Sequence, residues 1–482
     1  MARPLRILMI SAEVETFART GGLGDVVYGL SRALGGRGAE VVVVTPRYGN
    51  TRVPNDATWW WSTVRAPVGW GEEHNRELGV LETKIGANAR VCLLADSQLF
   101  DRNGIYADDA GTFGDNELRF ATMSRGALSV AERIWGSPSE GGGPDVIHAH
   151  DWHAALSVIY SKRTMGDAWQ NVPAVFTIHN LAYQGVLDFG ALDRLGIPRN
   201  LYRGDHLEHF GTVNLMKGAV ALSNRTTTVS PTYANEIRTG AGGFGLDGFL
   251  RDNAFKTVGI VNGIDPERYT PDYDSSNARR VKRAHKVALG EELGLDRDDR
   301  SPLFSSVSRL TSQKGIDIFL DALPALVQRG ARVVMVGTGE GSVESALRRA
   351  SERFPGRVAV KIAFDEQLAK RVYAASDFFV VPSRFEPCGL TQLYAMRYGA
   401  IPIVTDVGGL HDTVTPYDPA HDSGTGFRAR IPTSTALLIA LDDALTAFGD
   451  GAGMQGLVDR AMARDSSWTA AAAEYENKIY RF

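Results

Sequence analysis

The chain is poor in cysteine. Cys92 and Cys388 are its two thiols in 482 residues, and they stand in unrelated contexts. One pair cannot supply the disulfide framework of a secreted scaffold, so a reducing compartment, the cytoplasm, is expected. Excess charge of either sign is also missing, since 52 Lys and Arg stand against 56 Asp and Glu. That near cancellation removes the global electrostatic case for nucleic acid or an anionic membrane as a partner, and leaves small neutral or phosphorylated ligands open. Long apolar runs are lacking too. The stretch MARPLRILMISAEVE carries about six apolar residues before Glu13, too few for a signal h-region or a membrane span, and it reads as a first buried strand. Gly21, Gly22 and Gly24 do not space as GxGxxG, no glycine turn ends in Gly-Lys-Ser/Thr, and no solenoid period recurs. What remains is 44% apolar and 22% charged, ordinary for a soluble globular chain long enough for two or three domains.

Apolar runs recur with helical stretches between them: Ile7 to Ile10, Val41 to Thr45, Val91 to Ala95, Val146 to His148 and Val175 to Ile178. The pattern restarts at Phe304 to Val307, Val333 to Val336, Val358 to Ile362, Phe378 to Val381 and Ile401 to Val404. Such alternation predicts parallel α/β units in two Rossmann-like halves, with a ligand at the carboxyl ends of their strands. The join is expected around residues 250 to 265. Thr239 to Gly248 is expected to be a glycine-rich loop, Pro271 to Arg300 a polar helical insertion, and Ser467 to Phe482 a helix packing through Trp468, Tyr475 and Tyr480.

Two loops carry candidate chemistry. After the strand Phe378 to Val381, Pro382 ends the run, a polar turn presents Arg384 and Glu386, and a helix is expected to open near Gly389. Unpaired amides at a helix start hold phosphate, and glycine lets the backbone approach closely. A carboxylate there repels an anion, so Glu386 is expected to face a sugar hydroxyl or a developing oxocarbenium ion. Phosphate on one side and sugar on the other point to a sugar nucleotide; the plainer reading is a carboxylate that complements the helix dipole. After the first strand, RTGGLGDV (19 to 26) offers Gly21 and Gly22 for a tight turn ahead of a helix expected near Val26. Arg19 can grip a diphosphate with its planar guanidinium. His148, His150, Asp151 and His153 alternate at a strand end, where either a metal or a sugar would be met.

Together RTGGLGDV, HAHDWH (148 to 153), TIHN (177 to 180), VSPTYANEI (229 to 237), NGID (262 to 265), SRLTSQKG (308 to 315) and SRFEPCGLTQLY (383 to 394) resemble bacterial glycogen synthase and plant starch synthase, glycosyltransferase family 5, in order and spacing from end to end. The resemblance implies an α/β GT-B fold, two facing Rossmann-like domains with a cleft between them. It implies residues 1–255 as an acceptor (glucan) domain, 256–460 as a nucleotide-sugar domain, and 461–482 as a helix crossing back to the first. It further implies transfer of glucose, with retention, from ADP-glucose to the non-reducing end of an α-1,4-glucan such as glycogen or starch. The alternatives are a related transferase using UDP-glucose and a catalytically weakened glucan-binding protein.

Residue by residue, the resemblance places Arg309 and Lys314 on the leaving diphosphate and Glu386 on the sugar. Asp151 falls on the sugar or acceptor side, and His179 on the donor glucose. Donor contacts are expected from Arg19, Gly21, Gly22, Asp25, Asn262, Phe364 against the base, Cys388, Gly389, Leu390 and Thr391. His179 also reads as a buried structural histidine, and Asn262 as a turn residue. Neither cofactor nor metal is expected, because fixed cations neutralise a diphosphate without one; Asp272-Tyr273-Asp274 and Asp296-Arg297-Asp298 read as solvated loop acids. One departure stands out: Arg19 occupies the position where the family has lysine in KTGGL, which keeps charge but not shape.

Overall fold

The computed structural model describes residues 3–69, 75–363 and 365–482. They form two compact units: Met1–Val229 with Ala234–Gly263 and Trp468–Phe482, and Ser230–Tyr233 with Ile264–Ser467.

The sheet of the first unit runs Thr257–Gly259, Arg225–Thr228, Ala174–Ile178, Val146–His150, Arg6–Ile10, Glu40–Pro46, Ala89–Ala95, Asn75–Lys84, Thr58–Trp59. Every neighbouring pair from Thr257–Gly259 to Ala89–Ala95 is parallel. Numbered along the chain, these strands lie in the order 7-6-5-4-1-2-3. Buried on both faces, they read as near-continuous apolar runs, as in EVVVVTP and AVFTI. Beyond Ala89–Ala95 the pairing turns antiparallel and ends at an edge strand that carries Trp59. Of the triple tryptophan, Trp60 is half-buried with its indole N–H donating to Glu82 at 2.8 Å, while Trp59 and Trp61 are exposed.

The second unit has a wholly parallel sheet, Val358–Ile362, Arg332–Gly337, Leu303–Val307, Phe378–Val381, Ile401–Thr405, Phe427–Ala429. Its chain order is 3-2-1-4-5-6, the doubly wound arrangement. The polar stretch after Pro271 does contain a helix, Ala278–Leu293. It is anchored by the buried Lys286, which pairs with Asp377, and by Lys282, whose ammonium donates to the carbonyl of Ser376 at 2.8 Å. The acids flanking Tyr273 and Arg297 serve local structure: Asp274 caps Ser276 and Asn277, and Asp298 accepts from the amides of Arg300 and Ser301.

The C-terminal helix, Trp468–Lys478, belongs to the first unit and lies on the helix Gly22–Gly36. Gly29 makes that approach possible, because a Cβ there would fall 2.0 Å from the Trp468 indole nitrogen. Trp468, Tyr475 and Tyr480 are all buried. Among the described residues no helix is long and apolar enough to cross a membrane.

Candidate active site

Open parallel sheets present ligand sites outside the carboxyl ends of their strands, at the point where strand order reverses. In the first unit that point lies between Arg6–Ile10 and Val146–His150, and in the second between Leu303–Val307 and Phe378–Val381. The segments leaving these four strands carry most of the candidate residues. Topology alone therefore gathers Arg19, Gly21, Gly22 and Asp25 toward Asp151 in one unit, and Arg309 and Lys314 toward Glu386 in the other.

In the first unit the glycine turn is organised around an internal anion. Glu13, buried, accepts from the amides of Thr20 (2.7 Å) and Gly21 (3.1 Å), from the Thr20 hydroxyl (2.8 Å) and from the Tyr106 hydroxyl (2.7 Å). The amide of Gly21, a residue expected from the resemblance to contact the donor, is thus engaged by a carboxylate of the same loop. The helix begins at Gly22 rather than near Val26, with Gly21 extended as its cap. Arg19 lies between two carboxylates, 3.1 Å from Glu15 and 3.0 Å from Asp25. A guanidinium can bridge two acids in this way where a lysine ammonium offers only a point charge.

Asp151 opens the helix Asp151–Arg163 directly after its strand, with a left-handed φ of 57°. Asp is among the few residues that tolerate that region, and strain of this kind clusters at functional turns. Its carboxylate accepts from the His179 amide at 2.8 Å, and also from the Asn180 amide. Burial nevertheless pushes this carboxyl up to about 7, against the lowering effect of those two amides and with a small raising contribution from Glu13. His179, His148 and His153 are held down at about 3, chiefly by burial. They are neutral near pH 7, suited to hydrogen bonding with hydroxyls. Asn262 is buried, and its Oδ1 has no partner among the described residues.

In the second unit two loops close on each other. Gly315, at φ 62°, sits where a Cβ would fall 2.0 Å from the Pro382 carbonyl, so the SQKG turn meets the loop after Phe378–Val381 without a side chain between them. The Arg384 amide donates to Gln313 (2.9 Å) and the Gln313 side chain to the Phe385 carbonyl (3.2 Å). Held this way, Lys314 lies 2.5 Å from the Glu386 carboxylate, which also accepts from the Ser383 hydroxyl at 2.9 Å. Glu386 is buried, whereas Arg309 is exposed and makes no ion pair among the described residues. Arg384 pairs with Asp317 and so braces the loop.

The next helix runs Thr391–Arg397, two residues later than expected. Gly389 takes φ 72°, over the Gln392 side chain, which donates to the carbonyls of Cys388 and Gly389. Leu390 and Thr391 are half-buried at the helix start. The Cys388 thiol is buried, so alkylation there requires the loop to open. Phe364 lies outside the described residues. Among those residues no group of three or more His, Cys, Asp or Glu is arranged to hold a metal ion. Both ring nitrogens of His148 are committed to Tyr480 and Thr177.

Sequence reasoning did not single out Glu13, Ser383 or Gln313. For Glu13 a signal was present, a carboxylate three residues past an apolar strand and just ahead of an amide-rich glycine turn. Gln313 acts through a contact with a loop some seventy positions away, which no local pattern reveals, whereas Ser383 acts on Glu386, three positions on in its own loop.

The architecture of both units is that of the GT-B glycosyltransferases. Residues 6–252 match the model of the starch synthase catalytic domain, and residues 301–445 that of glycosyl transferases group 1. The chain is 42% identical to a glycogen synthase of Anaeromyxobacter dehalogenans, covering 99% of each, and 40% identical to one of Myxococcus xanthus, covering 98% of each. It superposes on the catalytic domain of starch synthase IV from Arabidopsis thaliana, bound to ADP and acarbose, with a TM-score of 0.89 at 31% identity and 99% coverage of both chains. Sucrose-phosphate synthase from Thermosynechococcus elongatus shares the fold alone, with a TM-score of 0.61 at 19% identity over 100% of this chain and 98% of that one. The chain belongs to the starch and glycogen synthase family.

Proposed function

We propose that this protein elongates an α-1,4-glucan, transferring glucose from ADP-glucose to the non-reducing end with retention, in the cytoplasm and without a metal. The observation that carries the reading is the Lys314–Glu386 contact at the strand-order reversal of the second unit, with the exposed Arg309 on the same segment as Lys314. Breaking the anomeric bond places negative charge on the diphosphate and positive charge on the sugar, and a site must stabilise both. Lys314 and Arg309 serve the first, with the amides of Leu390 and Thr391 at the helix start, and the Glu386 carboxylate serves the second. His179 and Asp151 offer a neutral imidazole and a carboxyl to sugar hydroxyls, and the Asn262 Oδ1 offers a further acceptor. Glu386 acts either by steadying the cation or by ordering hydroxyls. Departure of the diphosphate with same-face attack and a covalent route both give retention. The bound ADP and acarbose of the Arabidopsis relative support a nucleotide donor and a glucan-like acceptor.

Glucose incorporation into glycogen, measured side by side from ADP-glucose and UDP-glucose with and without EDTA, tests this. Incorporation is expected from ADP-glucose and is expected to survive chelation. A clear preference for UDP-glucose would overturn the donor assignment, loss with EDTA the metal-free mechanism, and no incorporation from either donor the enzymatic reading.

Arg19→Ala is expected to raise the Kd for ADP-glucose by about 10- to 100-fold, the scale of a charge-assisted hydrogen bond to phosphate, with acceptor KM little changed. Calorimetry of donor binding beside acceptor kinetics checks it, and equal losses for both ligands would count against a donor role.

A further inference from the structure

The buried histidines of the first unit form a connected series that sugar contact alone does not require. His148 and His150 alternate on the strand Val146–His150, which puts both rings on one face. Their centroids are 4.2 Å apart and both residues are fully buried. His150 Nδ1 lies 3.0 Å from His179 Nε2, while His150 Nε2 is buried without a partner among the described residues. At the other end His148 Nδ1 lies 2.7 Å from the Tyr480 hydroxyl, and its Nε2 lies 2.7 Å from Thr177 Oγ1, which in turn meets Thr227 Oγ1 at 2.5 Å.

An imidazole turns about its Cβ–Cγ bond unless something prevents it. Among the described contacts of His179, the ring bond that opposes turning is the one to His150. Among the described residues His150 makes no second hydrogen bond through its ring, so its own orientation rests on packing against His148. His148 is the fixed member, held at both nitrogens. A neutral imidazole carries one N–H and one lone pair, so whichever of His150 Nδ1 and His179 Nε2 holds the proton decides what the other nitrogen of His179 can offer a ligand.

We propose that His150 and His148 are positioning residues that fix the ring orientation and tautomer of His179, and that Tyr480, from the C-terminal segment, anchors the far end of this relay. The proposal rests on the reading above in that His179 faces the donor sugar. It extends the working parts of the site to a segment that neither matched family model covers.

The test compares His150→Ala, His150→Asn, Tyr480→Phe and Trp468→Phe in the full chain, by kinetics, by thermal melting and by crystal structure. Misplacing a reacting contact by about 1 Å costs up to ~100-fold, so His150→Ala is expected to lower kcat by about 10- to 100-fold at unchanged affinity for ADP. Asn presents a polar atom near the Nδ1 position and is expected to restore most of that loss. Tyr480→Phe removes one hydrogen bond at the far end and is expected to lower kcat by about 3- to 10-fold. Trp468→Phe loosens the same C-terminal helix without touching the relay, and is expected to lower the melting temperature with kcat retained. In crystals of His150→Ala the His179 ring is expected to turn or split.

An unchanged His179 ring in His150→Ala, or equal losses for Ala and Asn, would overturn the relay. Equal kcat losses for Trp468→Phe and Tyr480→Phe at matched melting temperature would overturn the anchor. Should the wild-type chain transfer glucose from neither donor, the enzymatic reading fails while the ring orientation still decides the relay.

Discussion

Lys314→Ala is expected to lower kcat/KM by about 10²- to 10³-fold, the scale seen when one preorganised donor is removed from a developing anion. Two effects combine. The diphosphate loses a fixed cation, and Glu386, only 5% exposed, keeps the Ser383 hydroxyl as its sole remaining side-chain partner among the described residues. A buried carboxylate stripped of its cation costs about 1–3 kcal/mol or more, so the melting temperature falls as well. Glu386→Gln removes the charge that needed the partner and is expected to lose comparable activity with little loss of stability. Because the two side chains share one contact, the double variant is expected to fall well short of the product of the single losses. A cycle in which the logarithms add would show that the residues act independently and sink the assignment. Lys314→Arg is not expected to rescue, since a planar guanidinium does not fit where a compact ammonium sits 2.5 Å from the acid.

Asp151→Asn is expected to move activity and stability in opposite directions. The carboxyl is raised from 3.8 to about 7 by burial. Between those values the folded chain holds a proton that the unfolded chain has released, so stability falls as pH rises from about 4 to about 7 and is level above. At 1.36 kcal/mol for each unit, the charged form costs up to about 4 kcal/mol at pH 8. Asparagine never ionises, tolerates the left-handed backbone, and can still accept from the amides of His179 and Asn180. The variant is therefore expected to melt higher than wild type at pH 8 and no higher at pH 4. Its kcat is expected to fall by about 10²-fold, with loss of the rising limb near pH 7 that a working carboxylate gives wild type. Melting curves at the two pH values and a pH–rate profile check both halves. A variant that melts lower at pH 8 would show that the ionised carboxylate stabilises the fold, contrary to the burial argument.

The parallel strands were legible because burial on both faces demands unbroken apolar runs, and the ten runs read from sequence all fall within observed strands. Arg225–Thr228, RTTT, escaped that reading although Thr226, Thr227 and Thr228 are fully buried. Its strand signal is β-branching rather than apolarity, with the Thr227 hydroxyl meeting Thr177 across the sheet and the Thr226 hydroxyl meeting Ser223. The short strands Thr257–Gly259 and Phe427–Ala429 add a single edge each and depend on their neighbours. At the site, the side chains on strand-end loops could be nominated from motif strings, but their pairings could not. That Arg19 is braced by Glu15 and Asp25, that Glu13 takes the Gly21 amide, and that Gly315 lets Lys314 reach Glu386 all follow from approaches of a few ångströms. Local sequence fixes such contacts only together with the fold.

The first unit is completed by Trp468–Phe482, which follow all of Ile264–Ser467 in the chain. Those intervening 204 residues (467 − 264 + 1) occupy a ribosome for roughly 10–40 s at about 5–20 residues per second. During that interval the surface of the helix Gly22–Gly36 that Trp468 will cover stays wet and apolar, a window in which a nascent chain is open to chaperones. Synthesis order thus makes the second unit the earlier of the two to have every residue it needs.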